Sequence, residues 1–198
     1  MSSESFKCVG PGEVLAYLRS DLSRAKRSLL IIGPWLDDYF AEQVVKPAPC
    51  GLDARVLVRP AAEVDALAWE RTLAALSVFG GYWPILESRH LAHLHAKCLC
   101  IDDQIAYVGS ANWYRYSVEK GVEIVLRGPV GAIEGGMSQL ESLWDRGETL
   151  AVTCPPKKVA KPEKPAEGIT HEVLDPLAAE ALKANPKAFV LRKKGQRR

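Results

Sequence analysis

His95-Ala96-Lys97-Cys98-Leu99-Cys100-Ile101-Asp102, followed after six residues by Gly109-Ser110-Ala111-Asn112, is the stretch that decides how this chain reads. Two apolar runs, 94–101 and 105–108, flank Asp102-Asp103-Gln104 and predict a strand, a turn and a second strand. Side chains alternate along a strand, so His95 and Lys97 point one way while Cys98 and Cys100 point the other. An imidazole beside a fixed ammonium suits attack on a phosphate, because the cation offsets the charge of the group attacked. The small polar groups of Ser110 and Asn112 follow directly on the second strand.

Outward from this hairpin, Val14, Leu15, Leu18, Leu22 and Ala25 recur at helical spacing and predict a helix over 12–28. Residues 28–32 follow as a short buried strand ended by Gly33-Pro34. Asp37 is a natural N-cap for a helix over 37–45. Residues 54–59 form a strand closed by Pro60, and 63–79 a helix stopped by Gly80-Gly81. Residues 82–86 read as a strand, at an edge or bulge because of Pro84. Beyond the hairpin come a strand over 122–126 and a helix over 130–144. The alternation predicts an α/β fold: a mixed β-sheet flanked by helices on both faces, mixed because strands succeed one another from residue 82 onward.

The chain has 198 residues, 47% hydrophobic and 25% charged, the composition of a globular protein. No apolar run approaches the ~18–20 residues that span a bilayer, and the N-terminus lacks a signal-peptide pattern. The expectation is a cytoplasmic protein with no membrane association. Residues 1–150 carry 15 Lys and Arg against 19 Asp and Glu, whereas 151–198 carry 11 against 5. A mildly acidic catalytic domain, 1–152, thus precedes a Pro/Lys-rich linker and basic flexible tail, 153–198, with one short helix over 174–184. Clustered cations of this kind suit a polyanion. The five cysteines form no CxxC pair, so neither a zinc ribbon nor a redox site is suggested. Cys98 and Cys100 read as small buried hydrophobes.

The pattern His95-x-Lys97-x4-Asp102-x6-Gly109-Ser110-x-Asn112 resembles the HKD motif of the phospholipase D superfamily. The resemblance implies metal-independent phosphodiester cleavage without a cofactor. His95 would be the nucleophile and form a phosphohistidine; Lys97, Ser110 and Asn112 would hold the non-bridging oxygens. Glu123 sits in the apolar run Val-Glu-Ile-Val-Leu, where a carboxylate needs a partner, and would orient the other ring nitrogen of His95. Asp102 is expected to cap the turn and to be more structural than chemical. His90, His93 and His95 also invite a metal reading, disfavoured because Lys97 already supplies the positive charge.

The leaving group needs a proton that the attacking His95 cannot also donate. Superfamily members with two motifs supply a second histidine. This chain has one motif and no internal repeat, so the resemblance implies a homodimer in which the second His95 acts as general acid. His93 is the candidate within the chain. Trp113, Tyr114 and Arg115, with Trp35 after the first buried strand, are candidate substrate-binding residues through stacking and phosphate contact. Trp69, Trp83 and Trp144 read as core. Nucleic acid, DNA or RNA, is the expected substrate, because the Gly-Ser-Ala-Asn-Trp form resembles the small bacterial nuclease branch. A lipid phosphodiesterase and a catalytically silent nucleic-acid-binding subunit are the alternatives. A nuclease must be restrained in its host, which makes subunits of a phage-defence system possible partners.

Overall fold

In the computed structural model, residues 5–10 and 12–151 are described, and they build one mixed sheet of eight strands. In chain order the elements are β1 (Lys7–Val9), α1 (Val14–Leu22), β2 (Ser28–Ile32), α2 (Asp38–Val45), β3 (Asp53–Val58) and α3 (Ala66–Tyr82). There follow β4 (Leu86–His90), β5 (Cys98–Ile101), β6 (Ile105–Gly109), α4 (Arg115–Glu119), β7 (Val125–Pro129), α5 (Gly136–Asp145) and β8 (Glu148–Thr149). The strand order is β1-β7-β6-β5-β2-β3-β4-β8. Strands β2, β3 and β4 run parallel; every other neighbouring pair is antiparallel.

Register explains the two cores. Leu29 and Ile31 stand opposite Ile101 and Leu99, and all four pack under α1, α2 and α3. Leu30 and Ile32 stand opposite Cys100 and Cys98 and face α5 with Leu140 and Trp144. Helices therefore cover both faces, as the sequence pattern requires of strands apolar on both sides. Cys98 and Cys100 are buried free thiols whose pKa values burial raises to about 11 and about 12, so they pack as hydrophobes. Trp83 and Trp144 are buried core residues and Trp69 packs partly against the core. No helix among the described residues is long and apolar enough to cross a membrane.

Several boundaries differ from the sequence expectation. Helix α1 ends at Leu22 rather than 28, because the N–H groups of Lys26, Arg27 and Ser28 donate instead to the Asp102 carboxylate at 2.8, 2.7 and 3.0 Å. Helix α3 runs through Gly80-Gly81 to Tyr82. Its last turn is pinned by Trp83, which stacks on Phe79 and donates its indole N–H to the Pro49 carbonyl. Tertiary packing here outweighs glycine's weak helix propensity. The strand expected over 82–86 lies at Leu86–His90, and Pro84 belongs to the preceding turn. The strand expected over 122–126 begins at Val125. The helix expected over 130–144 is split by left-handed Gly135 into a single 3₁₀ turn, Val130–Ala132, and α5. Edge strands β1 and β8 are too short to carry a pattern. The linker, the basic tail, the 174–184 helix, Cys154 and His171 lie outside the described residues.

Candidate active site

The parallel strands β2, β3 and β4 end on one edge of the sheet, and the motif residues gather there. Ile32 pairs with Cys98, Cys98 with Val108, and Gly109 with Val125. Consequently the chain after β2 (Gly33–Trp35), the chain before β5 (His95–Lys97), the chain after β6 (Ser110–Asn112) and the chain before β7 (Glu123) leave the sheet side by side. Carboxyl ends of parallel strands are where open α/β sheets bind ligands.

His95 and Lys97 precede the ladder rather than lying in it, since β5 starts at Cys98. They still meet. Lys97 Nζ lies 3.1 Å from both His95 Nδ1 and Nε2. Equal distances to the two ring nitrogens set the ammonium against the face of the imidazole, where its charge can offset that of a bound phosphate. His95 is exposed, whereas Lys97 is buried, only 8% exposed. Burial lowers the Lys97 pKa; Glu123 pulls it up and Arg59 pushes it further down. Trp35 stands edge-on to His95, ring centroids 6.3 Å apart, half-buried at the rim of the site.

Glu123 is held by hydroxyls. One carboxylate oxygen accepts from Ser110 Oγ at 2.5 Å and the other from the Ser117 hydroxyl. Ser110 Oγ in turn accepts from the Ile124 N–H at 3.1 Å, and Ser117 Oγ accepts from the Asn112 N–H at 3.0 Å. Ser110, Asn112, Ser117 and Glu123 thus form one network. Among the described residues no carboxylate lies within ion-pair distance of the His95 ring, so the expected Glu123–His95 bond is absent within the chain. The Asn112 Oδ1 atom is buried without a partner. An amide can present either end to a ligand, and this unpaired group is available to one.

Asp102 is elsewhere. It opens the β5–β6 turn at φ +54°, with Asp103 at +57°, the left-handed pair of a type I′ turn. Five residues of extended chain, about 16 Å, separate it from Lys97. Its three backbone donors outweigh the upward push of burial and hold its pKa below the ordinary value. Asp102 therefore ties the turn to β2 at the edge opposite His95.

Trp113 departs from expectation. It is fully buried, stacked on Phe40, with its indole N–H donating to the Ile32 carbonyl at 2.8 Å, so it is core and not a substrate contact. Tyr114 is half-buried and Arg115 exposed. Arg115 bonds Glu119 at 3.2 Å and lies over the Tyr39 ring. His93 is not on a strand. It occupies a turn at φ +59° and faces Glu63. His90 ends β4, three strand spacings or about 14 Å from β5. The three histidines do not converge, and no metal-holding group of His, Cys, Asp or Glu exists among the described residues. Arg59, just past the end of β3 and paired with Glu63 at 3.5 Å, is a cation whose charge reaches Lys97 and that sequence reading missed. Its position just past the carboxyl end of a buried strand was the only signal.

Gly109 sets the spacing of the site. A Cβ there would fall 2.1 Å from the Ile124 carbonyl oxygen, so β6 and the Glu123 segment could not approach this closely. Gly109→Ala is expected to cost about 1–3 kcal/mol, seen as a lower urea midpoint, and to impair turnover by displacing Ser110 and Glu123. An unchanged midpoint would show that the segment yields freely.

Residues 18–129 match the family described as cardiolipin synthase, PLD-like domain. Among solved structures, the chain is similar to NucT from Helicobacter pylori, with 18% identity over 75% of this chain and all of that one, TM-score 0.59. It is similar also to Nuc from Salmonella typhimurium, a phospholipase D family member, with 15% identity over 75% of this chain and 99% of that one, TM-score 0.61. A third likeness is to phosphatidylserine synthase from Haemophilus influenzae, with 13% identity over 76% of this chain and 41% of that one, TM-score 0.56. No curated protein sequence matched.

Proposed function

Because the chain belongs to the phospholipase D-like domain family, a family of phosphodiesterases, we propose that it is a metal-independent nuclease working through a phosphohistidine at a site shared by two copies. The observation that carries this reading is the buried Lys97 ammonium held 3.1 Å from the ring nitrogens of an exposed His95. In the first step the lone pair of His95 forms a bond to phosphorus as the bond to the leaving oxygen breaks. That oxygen takes a proton from a second imidazolium. In the second step water attacks phosphorus, its proton passes to the second imidazole, and the bond to His95 breaks. Lys97 and Asn112 hold the non-bridging oxygens as charge builds on them. Arg59 adds to the positive field.

The second imidazole is proposed to come from a second copy, because His93 and His90 are directed elsewhere. An apolar surface beside the site suits such pairing. Val122 is 99% exposed, Ile124 64% and Leu126 42%. Leu126 stands opposite Val108, which borders an apolar hollow of about 450 Å³ with Ile133. Exposed apolar residues in a row mark interaction sites. The basic composition of residues 151–198 favours a polyanionic substrate. The proposal includes a cytoplasmic location, with defence-system subunits as restraining partners.

The likeness to phosphatidylserine synthase favours lipid phosphodiester chemistry as a second reading, and one experiment separates the two. The full-length protein is incubated in EDTA with single-stranded DNA, duplex DNA, RNA and phosphatidyl substrate vesicles. Cleavage of nucleic acid alone is expected, with an acid-labile phosphoryl group trapped on His95. Turnover of lipid alone would overturn the nuclease reading, and cleavage seen only without EDTA would overturn the metal-independent mechanism; binding without any turnover would favour a silent binding subunit.

A further inference from the structure

Two adjoining hollows lie on the α2–α4 side of the site and share Arg71 and Tyr114. The smaller, about 190 Å³, begins at Trp35, the residue edge-on to His95. The larger, about 600 Å³, continues past Tyr116 to Lys120. They make one groove that leaves the site with rings and cations along it. Tyr116 is 64% exposed, an unusual position for a large ring without a ligand.

The charges along the groove are unequal in availability. Asp37 accepts from the N–H groups of Phe40 and Arg115, both at 2.8 Å. Asp38 accepts from the Tyr39 N–H at 2.9 Å and Asp65 from the Ala68 N–H at 2.9 Å. Glu119 is bonded to the Tyr39 hydroxyl and to Arg115. Asp37, Asp38 and Asp65 are thus turned to backbone donors and Glu119 is paired with Arg115, although the four carboxylates keep their charge beside the cations. By contrast, neither Arg71 nor Lys120 makes a side-chain hydrogen bond or ion pair among the described residues; Lys120 acts on Glu119 only through its charge, so both cations can still meet an anion. Neither sits on the HKD hairpin, and neither was legible as functional from its sequence neighbours.

We propose that this groove binds a single strand of nucleic acid flanking the scissile phosphate, with bases on Trp35, Tyr114 and Tyr116 and phosphates on Arg71 and Lys120. The inference rests on the nuclease reading and adds the form of the substrate. Ring platforms interleaved with cations are what an unpaired strand requires, because its base faces are free to stack. A duplex hides those faces and would meet only the two cations.

The test is fluorescence anisotropy on full-length protein carrying His95→Ala, which prevents cleavage during the measurement. The probes are oligo-dT, oligo-rU and a duplex of equal length. Single strands should bind at least tenfold tighter than duplex. Tyr116→Ala should weaken single-strand binding about tenfold, while Tyr116→Phe restores it to within about twofold because the ring is kept. Arg71→Ala should reduce the slope of log affinity against log salt by about 0.7, one phosphate contact on a single strand. Circular dichroism and melting curves check that each variant is folded. Equal binding of duplex and single strand overturns the proposal. So does Tyr116→Ala binding like the parent, or Tyr116→Phe binding as weakly as Tyr116→Ala. If the protein with His95 intact cleaves no nucleic acid while these binding effects hold, the nuclease reading fails and the groove stands. If it cleaves nucleic acid while the groove substitutions leave binding unchanged, the groove fails and the nuclease reading stands.

Discussion

His95→Ala is expected to slow phosphodiester cleavage by a factor on the order of 10⁴–10⁶, the loss typical of removing a covalent nucleophile. The ring is exposed, and its only polar partner among the described residues is Lys97. Stability should therefore hardly change, with melting within about 2 °C of the parent. More than about 1% residual activity would exclude His95 as the attacking group. The same variant tests the shared site. If one dimer holds one site built from two His95 rings, a mixed dimer lacks either its nucleophile or its acid. Re-equilibrated equal mixtures of parent and His95→Ala should then retain about one quarter of the parent activity, the share of dimers with both rings. Independent monomers would retain about one half. Measuring activity against mixing ratio distinguishes a square law from a straight line.

What was legible in the sequence was local. His95, Lys97, Ser110 and Asn112 belong to one hairpin, whose alternation and turn fix which side chains share an edge. Glu123 stood out as a carboxylate in an apolar run, but its partners did not. Ser110 and Ser117 are ordinary residues, brought to it by the close approaches permitted at Gly109 and Gly121 respectively. Asp102 was recognisable as structural. Its three N–H donors lie 74 to 76 positions away, beyond any spacing argument. Trp113 misled for a related reason. Beside Tyr114 and Arg115 it reads as part of an aromatic–basic cluster. Yet Gly33 has no Cβ, and one placed there would fall 2.5 Å from Trp113 Cδ1, so the indole fills that space in the core. Arg59 and Arg71 were two cations among many until the sheet order set one after β3 and the groove exposed the other. Apart from Ser117, six residues from Glu123, each miss concerns a contact between segments distant in sequence, where packing and not pattern decides.

Asp21→Asn is expected to destabilise the fold by about 3–5 kcal/mol, the cost of leaving a part-buried cation without its partner. The Asp21 side chain is 1% exposed on α1 and accepts from Arg127 Nε and Nη2 at 2.6 and 2.7 Å, a bidentate pair. Tyr107 on β6 donates to it at 2.5 Å, and Arg24 at 2.9 Å. One carboxylate thus ties α1 to β6 and β7, the strands whose ends carry Ser110 and Glu123. Burial pushes the Asp21 pKa up, but the Arg127 and Tyr107 hydrogen bonds outweigh it and leave the value below that of an ordinary carboxyl. With the folded value below the unfolded one, the stabilisation is complete above the unfolded pKa, about 4, and is lost as pH falls through the folded value. Urea midpoints should therefore differ widely between parent and Asp21→Asn at pH 7 and converge toward pH 2. A gap that stayed constant on acidification would mean that the carboxylate contributes through shape and not charge. Because Arg127 would be left holding an amide in place of a carboxylate, Asp21→Asn with Arg127→Met should recover part of the loss at pH 7. Failure to recover would place the stabilisation in the Tyr107 hydrogen bond and not in the ion pair.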